Sequence, residues 1–239
     1  MNKENIKKME DNNTTSSVIK SFNETFESGN LWDILSQVGE VGLDYVFELS
    51  DSAPIFKKIP VLGLIVSGTK TIANIQSHLL AKKVFNFFYG IKDIPVDKRR
   101  KFAEEYCQVN REDTAVALLS ILDRMNNQNY VPIICRLMKA KMDEKISIQE
   151  FNRCILALER VSYSDLDSLI KFDENYYEEG VAESFEAAGL VCLSLIDPHL
   201  FGVQKMTLSK TGRILLIYGL EKSVPLDTPR RIGIISDFG

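Results

Sequence analysis

Apolar positions along this chain recur mostly at helical intervals. Leu31, Leu35, Val38 and Val46 follow that spacing and predict a helix whose centre is weakened by Gly39 and Gly42, each costing about 1 kcal/mol relative to Ala. Pro54 and Pro60 then bracket a short break. From Val61 to Tyr89 the periodicity is longest. Val61, Ile65, Ile72, Ile75 and Leu79 fall on one side of a broad apolar arc, and Leu62, Val66, Ala73, Leu80, Val84 and Phe87 on the other. Lys70, Asn74, Ser77, His78 and Lys82 gather opposite. The spacing predicts one amphipathic helix, roughly 43 Å long at 1.5 Å per residue, stopped at Gly90.

Shorter helices follow. VDKRRKFAEEYCQV is one; NREDTAVALLSILDRM is a second, with Asn110 as its expected N-cap; VPIICRLMKAKM is a third, with Pro132 in its first turn. ISIQEFNRCILALERV opens on Ser147 and Glu150, the spacing of a capping box, and Ser164 with Asp167 repeats that spacing before SLIKF. Near the C-terminus the period changes from 3.6 to 2. EEGVAESFEAAG predicts a helix ended by Gly189, VCLSLI and VQKMTLS alternate as two strands, and KTGRILLIYGL returns to helix.

The predicted fold is therefore mainly α: a helical bundle with one long amphipathic helix and a C-terminal winged-helix-like α/β unit. Its expected divisions are a flexible polar tail over 1–28, a helical basic segment over 29–93, a bundle over 94–174, the winged-helix-like unit over 175–222 and an extension over 223–239. At 239 residues and 45% hydrophobic, the chain is long enough to bury a sizeable core.

Charge changes this picture. The net charge is −4, yet Pro54 to Lys101 holds ten Lys or Arg against Asp93 and Asp97, or 10 − 2 = +8, leaving −4 − 8 = −12 elsewhere. A basic, apolar segment seeks an anionic surface. Three roles are open to the 61–89 helix: the core of a soluble bundle, an amphipathic helix lying in a membrane interface, or a span. Between Ile59 and Ser77 the one charge is Lys70, while Thr69, Asn74 and Gln76 dilute the apolar run. Gly63, Ser67 and Thr71, four residues apart, permit close approach of another helix.

Candidate chemistry is sparse. GLIVSGTKT has its glycines spaced as in a phosphate-binding loop, but the lysine is one residue late and Leu64, Ile65 and Val66 want burial. KMDEKISIQEFNRCI ends like a calcium loop, yet Lys139 and Lys141 occupy its first ligand positions and Glu144 its glycine. The only histidines are His78 and His199, and GxSxG, HExxH, GxGxxG and CxxC are absent. No catalytic residue, metal ligand or cofactor is assigned. Cys107, Cys135, Cys154 and Cys192, irregularly spaced among apolar neighbours, read as buried reduced thiols of a cytosolic protein. The N-terminal residues lack the apolar run of a signal peptide, so the sequons at Asn12, Asn13 and Asn23 carry no expectation of glycosylation. Glu178, Glu179, Glu183 and Glu186 on the helix before the hairpin oppose phosphates and argue against nucleic acid as a partner.

KKIPVLGLIVSGTKTI, LLAKKVFNFFYGI, VDKRRKFAEEY, ISIQEFNRCI and LSKTGRILLIYGL together resemble the Abi-alpha-like bacterial proteins associated with abortive phage infection. The resemblance implies a bacterial cytosolic protein that limits phage spread, acting peripherally at the inner membrane. It brings no catalytic residues. The expected function is a non-enzymatic defence protein whose basic helix meets an anionic membrane. Leu62, Val66, Leu80, Val84 and Phe87 would insert, and Lys57, Lys58, Lys82, Lys83, Lys98, Arg99, Arg100 and Lys101 would bind headgroups. The alternative is a soluble protein-interaction or regulatory module with the long helix in its core; a winged-helix DNA-binding regulator ranks below it.

Overall fold

Two aromatic residues near the N-terminus anchor a region whose polar composition points to a loose tail. In a computed structural model, which describes residues 3–31, 33, 35, 59–67, 73–173, 179–195 and 204–222, helix α1 runs Lys3–Phe26. Val18, Ile19, Phe22 and Phe26 share one face, and Phe22 and Phe26 are buried. Four apolar side chains at helical spacing hold the second half of α1 to the core, so residues 3–26 of the expected polar tail are helical.

The expected 61–89 helix is instead two helices, α2 (Pro60–Ser67) and α3 (Ala73–Ile91), packed against each other and, through α2, against α1. Residues 68–72 lie outside the described residues; in sequence they include Gly68 and the β-branched Thr69, Thr71 and Ile72, which weaken a continuous helix. Phe87 and Phe88 of α3 meet Phe22 at ring-centroid distances of 6.0 and 4.9 Å. Such pairs add to the area term that dominates burial.

Helices α4 (Val96–Asn110), α5 (Thr114–Arg124), α6 (Tyr130–Met142) and α7 (Ile148–Leu158) complete the bundle. The N-cap of α5 is Asp113, not Asn110; its carboxylate accepts from the amides of Ala115 and Val116 at 2.8 and 3.3 Å. Helix α6 is apolar nearly all round, from Tyr130 and Val131 to Met142, and α3, α4 and α7 all pack on it, as expected of a central helix. Gly90 lets α3 approach α6: a β-carbon there would lie 2.6 Å from the Cys135 Sγ, whose thiol donates to the Phe87 carbonyl at 3.6 Å.

The capping box of α7 is complete, with the Glu150 amide donating to the Ser147 Oγ at 3.2 Å and the Ser147 amide donating to the Glu150 Oε2 at 2.7 Å. Lys210 reaches the same carboxylate at 2.6 Å. The Lys210 ammonium and then the Ser147 amide hold Glu150 down to about 2. A depressed carboxylate contributes stability above its unfolded pKa and loses it as pH falls. Stability measured by urea unfolding should thus decline from about pH 4.5 towards 2, and Glu150→Gln should flatten that part of the profile.

Tyr163–Asp173 forms 3₁₀ rather than α turns, burying Leu166, Leu169 and Phe172. Then come α8 (Glu179–Ala187), strands β1 (Val191–Leu195) and β2 (Gln204–Leu208), α9 (Lys210–Ile214) and a π turn, Leu215–Gly219. Gly189, at φ +74°, closes α8 as the Leu190 amide returns to the Phe185 carbonyl at 2.8 Å. The strands are antiparallel, with Val191 opposite Leu208. Leu190, Val191, Leu208, Leu215 and Leu216 join the same buried cluster as Phe22 and Phe87. The extension over 223–239 lies outside the described residues.

Candidate functional site

Each residue expected to meet a membrane has a definite place, or lies outside the described residues as Lys57 and Lys58 do. Leu62, Val84 and Phe87 have no exposed surface, Val66 is 6% exposed, and Leu80 packs half-buried against the core. The proposed insertion face is therefore covered in this conformation: Leu62 and Val66 are in α2, and Val84 and Phe87 are in α3, with the two helices against each other and α2 against α1. Among the described residues, no helix is long and apolar enough to cross a membrane.

Some of the cations are drawn inward too, and others stay at the surface. Lys82 is half-buried. Lys83 donates to the carbonyls of Met125 at 2.5 Å and Asp123 at 3.2 Å, closing the C-terminal end of α5 where its dipole favours positive charge. Burial lowers its pKa and Asp123 opposes that shift.

The run Lys98–Arg99–Arg100–Lys101 in the first turns of α4 ties together the ends of two other helices. Arg99 is only 2% exposed. Its Nε donates to the Ile94 carbonyl at 3.1 Å, one terminal nitrogen to the Phe26 carbonyl and the other to the Ser28 carbonyl at 2.6 Å. A planar guanidinium with five N–H groups can serve three carbonyls at once, and those of Phe26 and Ser28 lie at the C-terminal end of α1. Desolvation and then Arg100 lower the Arg99 pKa, without depriving so strong a base of its charge at neutral pH.

On either side of Arg99, Arg100 stands 3.8 Å from Glu27. Lys98 and Lys101 pair at 2.5 Å with Asp143 and Glu144, just past the end of α6. The bond from Lys98 holds Asp143 below the usual carboxylate range, and that from Lys101 does the same to Glu144. Sequence reasoning found the cations but missed these acceptors, which, apart from the Ile94 carbonyl, lie 43 to 73 residues away for Lys98, Arg99 and Lys101.

Cys107 and Cys192 are exposed, which corrects the expectation of four buried thiols; Cys135 and Cys154 are buried, and desolvation pushes both up to about 12. Among the described residues, no three His, Cys, Asp or Glu side chains are grouped to hold a metal. Against protein-family models, curated proteins and solved structures, the chain gives no match.

Proposed function

We propose that this chain is a non-enzymatic protein-interaction module whose 60–91 segment is its core. One observation carries the reading: Leu62, Val84 and Phe87 have no exposed surface. Removing three such side chains from the core would forfeit on the order of 1.5–3 kcal/mol each, a cost comparable to the whole stability of a domain. The C-terminal helix, hairpin and helix follow the order of a winged-helix unit, and the acidic α8 suits a protein partner rather than phosphates. The test is co-sedimentation with neutral and with anionic vesicles at low and high salt. The protein should stay in the supernatant in all four conditions; salt-sensitive pelleting with anionic vesicles alone would overturn the module.

That outcome belongs to the second reading, a defence-type protein that meets an anionic membrane peripherally, as the Abi-alpha-like resemblance implies. Its support is the +8 window, together with the side chains of Lys98, Arg100 and Lys101, which remain 47%, 52% and 68% exposed. Surface ion pairs of this kind contribute about 0–1 kcal/mol each, so lipid phosphates could displace Asp143, Glu144 and Glu27. Anionic vesicles would then have to bind these cations while the apolar face stays covered.

A further inference from the structure

An open cleft of about 240 Å³ lies where α4, α5 and α7 meet, on a part of the molecule that the basic segment does not reach. Its polar rim is Tyr106, Glu112, Ser120, Arg124, Asn152 and Glu159. Tyr106 is 6% exposed, its ring set against Phe102 and Phe151 at 5.7 and 6.4 Å. Yet its hydroxyl has no hydrogen-bond partner among the described residues. The ring is buried but the hydroxyl is not cut off from solvent, so it opens on the cleft as a free donor and acceptor, and burial, reinforced by Glu112, raises the Tyr106 pKa so that the hydroxyl keeps its proton at neutral pH.

The surrounding groups define what would complete it. The Arg124 guanidinium donates through Nε and Nη2 to one oxygen of Glu159, at 3.0 and 2.8 Å, so its charge is neutralised and the second Glu159 oxygen is left over. Asn152 donates through Nδ2 to the Asn110 Oδ1 at 2.7 Å, and Asn110 donates in turn to the Tyr106 carbonyl at 3.0 Å. That chain uses one of the two amide N–H groups of Asn152 and leaves its oxygen open. Glu112 has no ion pair among the described residues. The local charge is therefore −1 and the open groups are mostly acceptors, which calls for a cation rich in donors. The apolar side of the cleft is Ile121, Ile155 and Leu156, the last 50% exposed. An aliphatic stem can lie there with its charged head among the oxygens. The volume is below the roughly 300–1,000 Å³ of small-molecule sites and suits a single long side chain.

We infer that this cleft receives an arginine side chain of a protein partner, its stem on Leu156 and its guanidinium between Glu112 and the Tyr106 hydroxyl. The inference rests on the module reading above and supplies the recognition chemistry of its partner. Arginine is favoured over lysine because its planar fork offers five donors to separated acceptors.

The probe is N-acetyl-arginine methylamide, titrated into the full chain and followed by the backbone amide signals of Ser120, Asn152 and Leu156. N-acetyl-norleucine methylamide, with a similar stem and no guanidinium, is the control. Saturable shifts at those amides with the arginine probe alone are expected, and Glu112→Gln should weaken them about fivefold, the scale of one partly exposed charge contact. Tyr106→Phe should weaken them with little change in unfolding midpoint, since the hydroxyl supports nothing internal. Equal shifts from both probes, no shifts from either, or unchanged affinity in Glu112→Gln would overturn the arginine site. Vesicle binding that leaves the arginine shifts intact would overturn the module reading alone.

Discussion

Arg99→Met should lower the free energy of unfolding by about 3 kcal/mol, because hydrogen bonds to a charged donor are worth about 1.5–3 kcal/mol each and their loss leaves acceptors unpaired. The substitution keeps the aliphatic stem but strands the carbonyls of Ile94, Phe26 and Ser28. It also removes the positive charge from the C-terminal end of α1. Arg99→Lys should recover little, since one ammonium on a flexible stem cannot reach three acceptors spread around the edge of the planar guanidinium. Urea unfolding gives the value directly. A loss below about 1 kcal/mol, the scale of a surface pair, would mean that Arg99 is not the tie between α1 and α4.

Gly212→Ala provides the second large effect, and its sign opposes helix propensity. Alanine is favoured over glycine inside a helix by about 1 kcal/mol. At Gly212, however, the added β-carbon would be driven into the carbonyl oxygen of Leu190, with the Leu190 carbonyl carbon at 3.0 Å and Leu208 Cδ2 at 3.3 Å. The obstruction is mainly backbone and cannot rotate away. That same carbonyl accepts from the Ser209 amide at 2.9 Å, and the Ser209 hydroxyl donates to the Gly189 carbonyl at 2.6 Å, so both sides of the contact are held. Net destabilisation of about 2 kcal/mol is expected once the overpacking cost exceeds the propensity gain. Gly180→Ala is the matched control: nothing lies within 4 Å of a β-carbon there, and thermal unfolding should shift upwards slightly. A rise for both variants would refute the close approach of α9 to the start of β1.

Local signals transferred well from sequence to structure. The capping box at Ser147 and Glu150, the helix stop at Gly189 and the paired strands about the 196–203 connection depend on residues close together in the chain, and each is present. Errors arose where distant residues decide. Residues 3–17 are polar enough to read as a tail, but the docking of Phe22 and Phe26 on α3 is a tertiary event with no local mark. The 61–89 periodicity fits one long helix as well as it fits two packed helices, because a hairpin presents the same apolar residues to itself and to α1. For the basic run, the chain reveals cations and apolar neighbours but not their acceptors. Charge predicts exposure, whereas Arg99 is among the largest fully buried side chains.

The sulfur of Cys135 sits under α3, against Gly90 and the Phe87 carbonyl. A thiolate forms there only when water arrives, and water arrives only if α3 lifts from α6. Alkylation of Cys135 is therefore a clock for that separation, running in the same molecule in which the exposed Cys107 and Cys192 react at once. Any state in which α3 leaves the core, in solution or at a lipid surface, must write itself into the label found on Cys135, read separately from that on the other buried thiol, Cys154.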